Sequence, residues 1–195
     1  MRKTGVTGGI GSGKTLICQV FEKLGVPVFY ADQQARQIYD EDAQVKEAMI
    51  EYFGSGLYGP SGLRRDLLAS KIFNDPEALR QVNSLVHPAV KRRFLQWCDQ
   101  QKGAAYVIEE AAILFETGSH KDLDHTILVY APEQIRVQRV MKRDGVDEEA
   151  VRARMAHQMS DEKKIDQAGS VIYNDGSRLV IPQILEIHHT LIGKA

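Results

Sequence analysis

Gly8-Gly9-Ile10-Gly11-Ser12-Gly13-Lys14-Thr15 follows G-x-x-x-x-G-K-[ST], the P-loop pattern. Each part has a chemical reason. Glycines let the backbone take φ > 0 and turn its N–H groups around phosphate oxygens. The helix that follows points its free N–H groups and positive dipole end at the same anion. Lys14 adds a point charge for the β- and γ-phosphates, and Thr15 supplies a hydroxyl for Mg²⁺. The stretch predicts a site for a nucleoside triphosphate.

Other candidates lie where chain segments end. Asp32 closes a short apolar run, Val26 to Ala31. Ligands of open α/β sheets bind at the carboxyl ends of strands, so an acid there suits catalysis. It equally suits the N-cap of a helix over 33–39, and both roles can hold at once. Glu109 and Glu110 end a second run, Tyr106-Val107-Ile108, where carboxylates can hold Mg²⁺ or its water. Solvent-facing charge is the alternative, above all for Glu109. Arg136, Arg139 and Arg143 are three and four residues apart and share a helical face. They suit a lid that closes over a triphosphate, or a surface helix held by ion pairs.

Elements must position these groups. Leu16, Ile17, Val20, Phe21 and Leu24 predict an apolar helical face behind the loop, stopped by Gly25. Strands are expected at 26–31, 106–110, 125–130 and 170–173, and a helix over 179–192. The segment before the loop, Arg2 to Thr7, is polar and holds Gly5, where a buried parallel strand should be near-continuously apolar. Residues 41–102 read as entirely helical. A break falls at Gly54 to Gly62, a helix start at Asp75-Pro76 and an interruption at His87-Pro88. His188 and His189 read as surface or packing residues without partners. Strand–helix alternation demands a parallel sheet. The expected architecture is α/β: one domain over 1–195, its core at 1–40, 103–135 and 160–195. A helical substrate-binding insertion takes about 41–102 and a small helical lid about 136–159.

The 195 residues suffice for a sizeable core, and the net charge of −1 gives no global basic field for nucleic acid. Cys18 and Cys98 have no metal-like spacing and read as free thiols of a reducing compartment. Met1-Arg2-Lys3 leads into the loop rather than an apolar leader, and no apolar run is long enough to span a membrane. The expectation is a cytoplasmic protein.

In order and spacing, these segments together resemble the dephospho-CoA kinase family over almost the whole chain. The resemblance rests on Thr7 to Thr15; on Ala31-Asp32 with Ala35-Arg36; and on Leu63, Arg65 and Leu68. It continues through Ile72-Phe73, His87-Pro88, Ile113-Leu114-Phe115-Glu116, Arg139, Arg143, Gln158, Ile172 and Asn174. It implies a P-loop kinase that moves the ATP γ-phosphoryl group to the ribose 3′-hydroxyl of dephospho-CoA with Mg²⁺, the last step of coenzyme A synthesis. It also implies Asp32, Lys14 and Arg139 as catalytic residues. ATP would be bound by Gly9, Ile10, Gly11, Ser12, Gly13, Lys14, Thr15, Leu16, Arg139, Arg143 and Asn174, with adenine near Asn174. Asp32, Arg65, His87 and Glu110 would bind the acceptor, and Thr15 the metal. Neither nucleic acid nor membrane is an expected partner, and a monomer is expected over a small homo-oligomer. The chain departs from the family pattern in Glu110-Ala111-Ala112, where Asp, an apolar residue and Pro are usual. It departs again at Gly169, where an acid is common.

A kinase of nucleosides or nucleotides would share the loop and lid; Arg65 and His87-Pro88 favour the CoA acceptor. A GTP switch would need N-K-x-D, which is absent, and the one D-x-x-G, Asp166 to Gly169, lies too late in the chain.

Overall fold

The computed structural model of the chain describes residues 1–73 and 75–193. Asn74 and 194–195 thus lie outside the described part of the expected domain. In chain order the elements are β1 (Arg2–Thr7), α1 (Lys14–Lys23), β2 (Val28–Tyr30), α2 (Ala31–Glu41) and α3 (Ala43–Phe53). Then follow β3 (Tyr58–Gly59), β4 (Gly62–Leu63), α4 (Arg65–Phe73), α5 (Pro76–Gln100), β5 (Tyr106–Glu110) and β6 (His125–Tyr130). The chain ends with α6 (Glu133–Asp144), α7 (Glu148–Met155), α8 (Asp161–Gln167), β7 (Ser170–Tyr173) and α9 (Val180–Leu191). Two compact units result: Met1–Tyr30 with Gln101–Ala195, and Ala31–Gln100. The second unit begins with α2, whose residues 31–40 are expected from the sequence to belong to the core.

The first unit is built on a five-stranded sheet of order β2-β5-β1-β6-β7, every pairing parallel. The polar segment Arg2–Thr7 is its central strand. Thr4, Val6 and Thr7 are buried there. Gly5 leaves room for packing: a Cβ would come within 2.5 Å of Leu114 and 2.6 Å of Leu123, so both leucine side chains would have to shift. The missing apolar side chain is thus replaced by leucines from the chain after β5. On one face Val6, Ile108, Ile127, Val129 and Ile172 pack with Ile17, Cys18 and Phe21 of α1 and Ile184 and Leu191 of α9. Leu16, expected in that face, is instead 63 % exposed. His188 also differs from expectation, since its Nδ1 lies 2.8 Å from the Tyr106 hydroxyl. Gly169 has a local cause. A Cβ there would meet His125 Cε1 at 2.6 Å, so the acid common in the family would need His125 to move.

The second unit has its own core of Ile38, Val45, Met49, Leu57, Leu63, Leu68, Val82, Val86 and Ala89. It is not entirely helical, because β3 and β4 form a short antiparallel hairpin inside the glycine-rich break. Pro88 does not interrupt α5, which runs 25 residues through it. The hydrogen bond forfeited at Pro88 is the one its N–H would give the carbonyl of Ser84, and both residues are exposed, so that carbonyl meets water. Val82, Val86 and Ala89, buried on both sides of the proline, hold the two halves on one core.

Candidate active site

The glycine loop joins β1 to α1, and the sheet dictates what surrounds it. Parallel pairing brings the carboxyl ends of β5 and β6 beside that of β1, with Glu110 in register with Val6 and Tyr30. Gly11 (φ 82°) and Gly13 (φ 92°) take the left-handed conformation the loop needs, and Ser12 N–H donates to Gly9 C=O at 3.0 Å. Lys14 starts α1 immediately after the turn, so its ammonium and the first-turn N–H groups converge on one space. Lys14 Nζ stands 3.4 Å from Glu110 Oε1, with side-chain exposures of 14 % and 6 %. The longer side chain at position 110 therefore ends at the loop lysine. Glu109 is not the solvent-facing charge allowed for above, being buried on β5 beside Gly5 and Phe29. Cys18, one turn beyond Lys14, is also buried. Desolvation, reinforced by the Glu110 charge, pushes its thiol pKa well up, so it stays protonated.

The outer side of the loop is gripped by distant segments of the same unit. Asn174 N–H donates to Tyr130 C=O at 2.8 Å, and its Nδ2 donates to Ser12 C=O at 2.8 Å. Arg139 Nη2 donates to Asn174 C=O at 2.9 Å, while Nη1 lies 3.5 Å from the carbonyls of Gly11 and Ser12. Asn174 and Arg139 thus meet at the loop, as backbone-binding groups. Arg143 is turned elsewhere: its Nε donates to Asp144 Oδ1 at 2.7 Å, and it is exposed. Arg136 is not part of an exposed basic face. It is 6 % exposed, and its Nε donates to Ala131 C=O at 2.9 Å and its Nη2 to Asp161 at 2.5 Å.

Asp161 and Gln158 hold this frame, yet sequence reasoning gave neither a role. Gln158 Oε1 accepts from Ile10 N–H at 2.9 Å. Their contacts span 25 and 148 positions, beyond the reach of any local pattern. Glu116 was legible only as a motif member. It stands 2.9 Å from the fully buried Lys164 and accepts from Met159 N–H at 2.8 Å.

In the second unit Asp32 is exposed in the first turn of α2, inside the helix rather than ahead of it as a cap. Arg65, at the start of α4, donates to Arg36 C=O at 3.0 Å and to Asp40 Oδ2 at 3.2 Å. His87 is half-buried in α5, and burial lowers its pKa, keeping the ring neutral at neutral pH.

A glycine loop between the central strand of a parallel sheet and its first helix, with a lysine at the helix start, defines a P-loop kinase fold. A model of the dephospho-CoA kinase family matches residues 3–179. A protein named dephospho-CoA kinase from Bacteroides fragilis is 37 % identical over 185 residues, covering 95 % of this chain and 90 % of its own. Among solved structures, TT1252 from Thermus thermophilus superposes with a TM-score of 0.86 at 33 % identity, covering 97 % of this chain and 96 % of the other. The dephospho-CoA kinase from Campylobacter jejuni does so with a TM-score of 0.71 at 27 % identity, over 99 % and 98 % of the two chains. The chain belongs to the dephospho-CoA kinase family; it is a kinase of the final step of coenzyme A synthesis.

Proposed function

We propose that the chain transfers the γ-phosphoryl group of ATP to the ribose 3′-hydroxyl of dephospho-CoA, giving coenzyme A and ADP. The observation that carries this reading is the glycine loop with Lys14 at the start of α1, in a chain of this family. The loop amides of 11–16 and Lys14 hold the β- and γ-phosphates, while the Ile10 amide, counted above with the ATP-binding groups, is held by Gln158. Lys14 leaves Glu110 for the anion as it binds. Arg139 and Asn174 hold the loop and face the nucleotide, and Arg143 joins them when the lid closes. Asp32 accepts the hydrogen bond of the 3′-hydroxyl and orients its oxygen in line with the γ-phosphorus. Its support is the family match and its place two residues beyond β2. A loose phosphoryl transition state asks for positioning and charge neutralisation more than for a strong base, so an ordinary carboxylate suffices.

Thr15, exposed in the first turn of α1, would hold Mg²⁺ through its hydroxyl. The described residues include no group of three or more His, Cys, Asp or Glu placed to cage a metal. That donor set fits an ion brought in on phosphate oxygens, where it neutralises developing charge. Arg65 and His87 line the acceptor side, Arg65 as a cation and His87 as a neutral ring. The chain works in the cytoplasm as a monomer; no helix among the described residues is long and apolar enough to cross a membrane.

A coupled ADP-release assay with dephospho-CoA tests the reading. Asp32→Asn should lower kcat by about 100- to 10 000-fold with little change in the KM for ATP. Normal turnover in that variant removes Asp32 from the reaction. Transfer to nucleosides in preference to dephospho-CoA removes the acceptor.

A further inference from the structure

Ile10 is held at both ends of its backbone by residues that the phosphate chemistry above does not use. Its N–H donates to Gln158 Oε1 at 2.9 Å, and Arg136 Nη1 lies 3.5 Å from its carbonyl oxygen. The two holders are joined, because Arg136 Nη2 donates to Asp161 Oδ2 at 2.5 Å, three residues beyond Gln158. Gln158 lies in the chain between α7 and α8 and Asp161 opens α8, and that stretch is itself pinned. Met159 N–H donates to Glu116 Oε1 at 2.8 Å, and the same oxygen faces Lys164 Nζ at 2.9 Å, with Lys164 fully buried. Gly9 completes the fit, since any Cβ there would collide with the Arg136 guanidinium. The Ile10 side chain packs with Val137, Val140 and Val151 of α6 and α7.

From this closed ring of contacts we infer that Gln158 is a positioning residue for nucleotide binding. With Arg136 and Asp161 it fixes the Ile10 peptide and so presets the loop before phosphate arrives. The inference rests on the loop being the triphosphate site. Its physical basis is preorganisation: a glycine-rich loop is entropically costly to order, and a tether outside the anion site meets part of that cost in advance. The Ile10 N–H points at Gln158, so it serves the frame rather than the anion. A tether of this kind acts on affinity for phosphate and leaves the acceptor side and the transfer step alone.

The test is Gln158→Met, which keeps length and removes the acceptor, beside Gln158→Glu, which keeps an acceptor at the same reach. In the full-length parent the Ile10 amide should be protected from hydrogen exchange. In Gln158→Met it should exchange about tenfold faster, and Gln158→Glu should regain protection. Affinity for Mg–ADP by calorimetry should fall about fivefold in Gln158→Met, the worth of one net hydrogen bond. The KM for dephospho-CoA and the kcat should stay within twofold of the parent. Parent-like ADP affinity in Gln158→Met overturns the inference, as does an Ile10 amide equally exposed in parent and variant. A kcat loss without an ADP effect overturns it too. A parent that binds no ADP overturns the nucleotide reading instead, and the exchange of the Ile10 amide still decides whether Gln158 holds the loop.

Discussion

Lys14 and Glu110 show what a single charge pair does at a phosphate loop. Both are largely buried at 3.4 Å, and a lone ammonium there would carry a desolvation cost that the carboxylate offsets. A triphosphate replaces one carboxylate with several charged oxygens, so the lysine gains on exchange. Lys14→Ala should weaken ATP binding and turnover together, by about 10- to 100-fold in affinity, the worth of a charged hydrogen bond. Calorimetry against ATP checks this, and unchanged binding would place the phosphates elsewhere. The variant should also melt lower, because Glu110 loses its ion pair with Lys14. Of this site, the sequence made the loop legible, because eight consecutive residues carry its whole logic. Its outer frame was legible only through the family resemblance, which includes Gln158 and Asn174: they reach Ile10 and Ser12 across 148 and 162 positions, and neither residue type by itself announces such a role.

At the scale of elements, legibility followed how each strand or helix is buried. β6 and β7 match the apolar runs that mark them, since Thr126 to Val129 are buried in β6 and Ile172 is buried in β7. β1 looked poor because part of its covering is lent by Leu114 and Leu123 to Gly5. The β3–β4 hairpin has two residues per strand, too few for any alternation to register. Pro88 misled because its lost hydrogen bond falls on the water side of α5. The cap of α3 can be tested. Asp42 Oδ1 accepts from Val45 N–H at 3.1 Å, and Oδ2 from Arg92 at 2.7 Å. Burial alone would raise the Asp42 pKa, but these hydrogen bonds and the Arg92 charge together hold it below its ordinary value. A depressed carboxylate stabilises the fold fully above its unfolded pKa of about 3.9 and loses that contribution as pH falls through the folded value. Asp42→Ala should therefore cost about 1 kcal/mol at pH 7 from the cap. The gap in melting temperature should hold down to about pH 5 and narrow below about pH 4. A gap as wide at pH 3 as at pH 7 would sever Asp42 from this linkage.

Across the whole molecule, both thiols are shut away: Cys18 and Cys98 are buried. The native chain should resist iodoacetamide at neutral pH and take up two labels only in denaturant, as read by intact mass. Rapid labelling of Cys18 in the native state would contradict its raised pKa and its place on the buried face of α1.

The central position of β1 bears on how the chain is made. Its sheet neighbours, β5 and β6, begin at Tyr106 and His125, so this strand leaves the ribosome without a partner on either side until the whole stretch from α1 to α5 has followed. The unit Ala31–Gln100, by contrast, is contiguous and can acquire its core as it emerges. Nascent chains halted before β6 should carry a glycine loop unable to retain nucleotide, which makes ligand capture a late event in synthesis.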